Sequence, residues 1–384
     1  MYNSTIKRWK LMLVIILLVP TLCQGAVPAT PAGLCINNQN CTSSNKPVGS
    51  VIAPASSNIN HFNPGYYLLI GPRESAASHA STLKNNPFKG LKKFYIWNEI
   101  ETAYGVYDFS NIRRDLEALE SQGKYLWIQV NGAVMSSPST PWVPRYMWND
   151  SKYGCGPDGD GDAYYYGTYK RKVQAGGWMV CFWNEHVAAR EKALFEALGR
   201  EFNNEKHFEG ILAGGETAIN MGAAVVHASF NKTKALAALK EKVLAAKHAF
   251  PNKSVMQDLN YGPFDFSELS VWLAENGIGL TGPDVHLMKN HLIDNVWPYH
   301  YENHYKVPIA IDVQWDNYER YNPKVGRANT ASELRDGAIK HINPWYMFWK
   351  VRSPYFYDDV VPAVQERSLP AAEAFYESMQ GKQQ

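Results

Sequence analysis

An excess of either charge is what this sequence most plainly lacks: 38 Lys and Arg stand against 36 Asp and Glu, a net of +2. So even a balance gives no electrostatic footing for nucleic acid or for an acidic membrane surface. Apolar runs long enough to cross a bilayer are also missing. The longest, Leu11–Val19, falls well short of the roughly 20 residues a spanning helix needs. There is no P-loop, which removes one signature of a nucleotide-binding sheet. No HExxH occurs, His286 and His291 do not make a zinc pattern, and no serine sits in an elbow motif. Neither a metal nor a cofactor is expected. The run Asp158-Gly-Asp-Gly-Asp162 begins like a calcium loop but lacks the later glutamate, and reads as a solvated turn.

Cysteine is sparse, with five in 384 residues. Residues 1–25 read as a signal peptide: Lys7, Arg8 and Lys10 precede the apolar stretch, and Cys23-Gln-Gly25 offers small residues for cleavage. Export to the periplasm or the medium leaves Cys35, Cys41, Cys155 and Cys181, an even number suited to disulfides. Of three possible pairings, the locally closed one joins Cys35 to Cys41 and Cys155 to Cys181. Residues 26–62, rich in Pro, Ala, Ser and Asn, read as an extended leader, and 63–384 as one catalytic domain.

What the sequence has in abundance is alternation. Strand-like runs at Tyr66–Ile70, Lys93–Trp97, Tyr125–Val130, Gly210–Gly215, Ser254–Leu259, Gly277–His286, Pro308–Trp315 and Asn343–Lys350 are separated by helical patterns. The helices include one capped by Ser110 with Ile112, Leu116 and Leu119 on one face, then Glu185–Phe202, Lys234–Ala249, Phe264–Asn276 and Ser332–His341. Eight such units predict an α/β fold, a single (β/α)8 TIM barrel with a long loop after strand three.

In such a barrel the chemistry sits at the C-terminal strand ends. Polar residues interrupt the runs there: Trp97 and Glu99 with Glu101, Gln129 and Asn131, Glu216 after Gly214-Gly215, Asn260 and Tyr261, Asp284 and His286, Asp312 and Gln314, and finally Trp345 and Trp349. Carboxylates ringed by amides and indoles suit glycoside hydrolysis, in which one acid protonates the leaving oxygen and a second carboxylate attacks or activates water. Trp142, Trp148, Trp178 and Trp183, all on the long loop, either floor a glycan cleft or pack that loop on the barrel.

The stretch Tyr95-Ile-Trp-Asn-Glu-Ile-Glu101, followed by Gly105-Val-Tyr-Asp-Phe-Ser110, resembles the segment from strand two to helix two in glycoside hydrolases of the clan A superfamily. The resemblance implies Glu216 as general acid/base and Asp312 as nucleophile or base. Trp97, Glu99, Gln129, Asn131, Asn260, Tyr261, Asp284, His286, Gln314 and Trp345 would then contact the sugar. Two departures matter: Gly215 stands where the superfamily has Asn, and Asp312 where it has Glu. They leave retention and inversion both open, and Asp284 as an alternative base. The expected partner is a poly- or oligosaccharide, the expected state a monomer. A glycan-binding barrel that has lost its nucleophile is the competing reading, and a hydrolase of another bond, such as an amide, a third.

Overall fold

The computed structural model describes residues 62–133, 142–148, 150–154, 164–166, 178–214, 230–260, 262–352 and 354–380. Cys35, Cys41, Cys155, Glu216 and Tyr261 lie outside them, as do the expected signal peptide and nearly all of the leader.

Eight parallel strands form the centre: β1 (Gly65–Ile70), β2 (Gly90–Ile96), β3 (Tyr125–Asn131), β4 (Phe208–Leu212), β5 (Ser254–Asp258), β6 (Gly279–Thr281), β7 (Ala310–Val313) and β8 (Tyr346–Lys350). They hydrogen-bond in the order β6-β5-β4-β3-β2-β1-β8-β7. Parallel bridges Leu280–Ile309 and Pro283–Asp312 join β7 back to β6, so the sheet closes on itself as a TIM barrel. All eight expected strands are present. β2 begins three residues earlier than expected and adds Lys92 to Lys93, both buried. Each is tolerated because it is paired. Lys93 Nζ lies 2.6 Å from Asp115 Oδ2 on the outer side, and Lys92 meets Asp312 inside.

The outer layer follows the helical patterns. Helix α1 (Ser110–Glu120) buries Ile112, Leu116 and Leu119 as expected. Ser110 is its first residue rather than its cap, and Asp108 Oδ1 accepts the Ser110 N–H at 2.9 Å. Helix α2 (Glu185–Phe202) is capped by the Asn184 side chain and α3 (Lys232–Ala249) by Asn231, which starts the latter two residues early. Helix α4 spans Phe266–Glu275. Helix α5 (Ala331–Ile342) opens with a capping box between Thr330 and Glu333, and Asn343 ends it in the left-handed region. Among the described residues no helix is long and apolar enough to cross a membrane.

Aromatic rings fill the lower barrel. The Trp127 ring lies 5.1 Å from Tyr346 and 5.8 Å from Phe348, and Tyr67 is 5.8 Å from both of those rings. Gly210 makes room for this plug, since a Cβ there would sit 2.6 Å from the Trp127 ring.

Candidate active site

Alternation along the strands decides which polar groups enter the barrel. On β2, Lys93 and Tyr95 point outward to Asp115, so Lys92 points inward. Its ammonium donates to both oxygens of Asp312, at 2.9 and 2.8 Å, with Lys92 fully buried and Asp312 nearly so. Asp258 joins them from β5. Burial, with the Asp312 charge adding to it and Lys92 opposing, pushes the Asp258 carboxyl up to about 7. Burial also raises Asp312, against the pull of Lys92. Two carboxylates and one ammonium thus share the upper barrel interior. Asp312, expected as nucleophile or base, has both oxygens engaged by a lysine.

A second group stands at the ends of β6 and β7. Asp284 has φ +73°, an unusual backbone for a residue with a side chain. Its Oδ2 lies 3.2 Å from His286 Nε2, and the same nitrogen is 3.4 Å from Asp316 Oδ2. Asn317 holds the group together. Its Oδ1 accepts the backbone N–H of Val285 at 3.0 Å and of Gln314 at 2.9 Å. Those donors fix which end of the amide is oxygen. Its Nδ2 therefore donates, to Asp284 Oδ1 and Asp316 Oδ1, each at 3.2 Å, and lies 3.5 Å from His286 Nδ1. Burial works against ionised Asp284, but nearby His286 and the Asn317 amide win and hold it below the usual carboxylate range. Burial likewise works against charge on His286, and Asp284 and Asp316 outweigh it, raising its proton affinity.

Asp284, His286 and Asp316 place three potential ligand atoms within 4.8 Å of one another, close enough to hold a metal ion. The set does not favour one: Asp284 and Asp316 raise the proton affinity of His286, and the imidazolium form offers no lone pair to an ion.

The end of β2 is a structural clamp. Glu101 is fully buried and accepts from Trp97 Nε1 at 2.9 Å, from Tyr146 at 2.7 Å and from Gly105 N at 3.1 Å, and it pairs with Arg190. Glu99 instead pairs with the exposed Arg73. Trp97, expected to meet sugar, is buried in the clamp, 2 % exposed.

The other expected contacts divide. Gln129 is buried and donates to the half-buried Asn131 at 3.0 Å. Asn260 is buried just past β5. Gln314 is committed to a capping box with Asn317 at the helix that follows β7. Trp345 is misplaced by the sequence reading. It precedes β8, its N–H bonds to Ile309 O, its indole donates to His304 O at 3.2 Å, and its ring packs 5.4 Å from Phe375. That is the N-terminal end of the barrel, opposite the mouth. On the long loop, Trp148 donates to Val143 O at 3.0 Å and Trp183 packs 5.3 Å from Phe230, so both serve packing. Sequence reasoning missed Lys92, Asp316 and Asn317. Lys92 carried one signal, its alternation with the outward Lys93 and Tyr95.

No family model matches the sequence, and no curated protein matches it. Solved structures do. Endo-glycoceramidase II from Rhodococcus sp., in complex with a cellobiose-like imidazole, is 12% identical over 81% of this chain and 80% of that one, with a TM-score of 0.53. A second structure of it is 11% identical over the same shares, with a TM-score of 0.53. Its five-membered iminocyclitol complex is 11% identical, again over 81% and 80%, with a TM-score of 0.52. At such identities the similarity is one of fold.

Proposed function

We propose that this chain is an exported glycoside hydrolase that cleaves O-glycosidic bonds of a poly- or oligosaccharide, with Glu216 as general acid/base and Asp284 as the second carboxylate. The observation that carries the reading is the state of Asp284. It stands at the barrel mouth, is partly open to solvent, and is kept ionised by the Asn317 amide that donates to it and by His286 beside it. Asp312 is the weaker choice because Lys92 engages both of its oxygens deep in the barrel. Glu216 follows β4 after Gly214, where a barrel hydrolase carries its proton donor. The fold shared with endo-glycoceramidase II supports the class of reaction, though not a particular sugar.

In this mechanism the Glu216 carboxylic acid gives its proton to the leaving glycosidic oxygen. Asp284 either bonds to the anomeric carbon or takes a proton from the attacking water. The clamped Lys92–Asp312 pair supplies fixed charge beneath the site rather than a reacting group.

A hydrolysis screen over oligosaccharides, polysaccharides and glycolipids tests the reading. Wild type is expected to release reducing sugar from at least one class, and Glu216→Gln to lose that activity while staying folded. Binding without turnover across the screen, unaffected by Glu216→Gln, would establish the glycan-binding barrel instead.

A further inference from the structure

Two lysines stand together at the end of the barrel opposite the mouth. Lys89 and Lys124 immediately precede β2 and β3, and Gly90 pairs with Tyr125, so both enter neighbouring strands side by side. The Tyr125 N–H donates to Lys89 O at 3.0 Å, which fixes that register. The Lys89 stem lies against the start of β1, where a Cβ on Gly65 would sit 3.0 Å from its Cγ. Its ammonium reaches to 4.8 Å from the centre of the Tyr376 ring. Lys124 Nζ donates to Phe88 O at 2.7 Å, one acceptor for three N–H groups. Among the described residues neither lysine has a carboxylate partner. Burial, with the Lys89 charge adding to it, works against the charge on Lys124. Folding alone gains nothing from two half-buried like charges set side by side without a counter-ion.

Both lysines line a cavity of about 350 Å3 between the starts of these strands and helix α6 (Pro370–Gln380). Tyr66, Phe88, Leu369 and Tyr376 wall it. The Tyr66 hydroxyl donates to Arg367 O at 2.7 Å and the Tyr376 hydroxyl to Pro64 O at 3.0 Å, so each already has its acceptor. Glu373 also lines the cavity, but it is exposed and engaged by the Ser368 hydroxyl. Apolar walls and two ammonium groups together suit a carbon chain with an anionic head. Residues 26–62 hold no Asp or Glu, so the preceding segment has no carboxylate to offer the pair. We propose that this cavity binds a medium-chain aliphatic carboxylate, its head between Lys89 and Lys124 and its chain against Tyr66, Phe88 and Leu369. The site is separate from the barrel mouth, and its occupancy does not depend on the roles of Glu216 and Asp284.

Calorimetric titration of the full chain with decanoate tests it, with 1-decanol and a galacturonate trimer as the comparison ligands. Wild type should bind decanoate saturably and one to one. Changing both lysines, Lys89→Gln with Lys124→Gln, should weaken that binding by about tenfold or more, as loss of charge-assisted hydrogen bonds requires. Decanol should bind wild type more weakly than decanoate and should not distinguish the two proteins. Rising ionic strength should weaken decanoate and leave decanol unchanged. Ala372→Phe, which puts a ring into the cavity, should abolish decanoate binding with both lysines in place. If that variant does not fold, the lysine variants decide. No saturable binding of decanoate to wild type overturns the proposal, as does equal affinity in the folded double variant. Binding of the galacturonate trimer in place of decanoate, lost with the lysines, gives the pair to an acidic sugar and overturns it too.

Discussion

Lys92 Nζ lies 2.9 Å from Asp312 Oδ1 and 2.8 Å from Oδ2, a two-oxygen ion pair that reaches from β2 to β7 past β1 and β8. Both side chains are buried, so this pair cannot be treated like a surface salt bridge. Both charges were removed from solvent on folding, and each now depends on the other.

Removing one partner should therefore be costly. Lys92→Met is expected to destabilise the protein by about 3–5 kcal/mol, because Asp312 is left buried without a counter-charge. Adding Asp312→Asn to that variant should recover part of the loss. Urea unfolding of wild type, single and double variants measures it. A Lys92→Met midpoint within error of wild type contradicts the buried-pair account.

Asp258 predicts a pH dependence of known sign. Its folded carboxyl is raised to about 7, whereas the unfolded chain should show about 3.9. Between those values the folded state holds the extra proton. The Asp258 contribution is complete below about pH 4 and is lost as pH rises through 7. Asp258→Asn should accordingly gain stability relative to wild type at pH 8 compared with pH 5. Denaturation midpoints of both proteins at the two pH values show whether the difference has that sign.

The two glutamates after β2 should behave oppositely. Glu101 is buried with Arg190, Trp97 and Tyr146 around it, while Glu99 pairs with an exposed arginine. Glu101→Ala should cost about 3–5 kcal/mol. Glu99→Ala should stay within about 1 kcal/mol. Equal effects in thermal or chemical unfolding would sink this distinction.

Azide rescue separates the two candidate carboxylates. On an activated aryl glycoside, Asp284→Ala should lose most turnover, and azide should restore it as a glycosyl azide if Asp284 is a nucleophile. Asp312→Ala should show no rescue, its defect being one of stability. Rescue confined to Asp312→Ala reverses the assignment.

Cys181 is buried and disulfide-bonded. We propose Cys155 as its partner, closing a loop of ~26 residues that should stabilise by roughly 3 kcal/mol. Non-reducing peptide mapping should recover the linked pair. Finding Cys155 joined elsewhere, or free, refutes it.

Much of the architecture was legible in the linear sequence. Eight apolar runs, the face of Ile112, Leu116 and Leu119, and the span of α2 at Glu185–Phe202 are written in local periodicity, which depends on neighbours a few residues away. That polar residues close several strands, Gln129 and Asn131 on β3 and Asp312 on β7, was legible for the same reason. Trp345 was not. It reads like any aromatic beside a strand, and only the direction of β8 puts it at the closed end.

The sequence by itself determined the barrel, because hydrophobic alternation and helix caps act over short distances and repeat eight times. The tertiary structure alone decided what each charged group does. Lys92 and Asp312 are 220 residues apart, and only the closed register of the barrel brings them together. Asp284, His286 and Asp316 become one group only because β6 and β7 end side by side, with the Asn317 amide locked by two backbone N–H groups between them. A side chain's charge can be read from its letter. Its partner, and with it its chemistry, follows from the shear of the sheet that carries it.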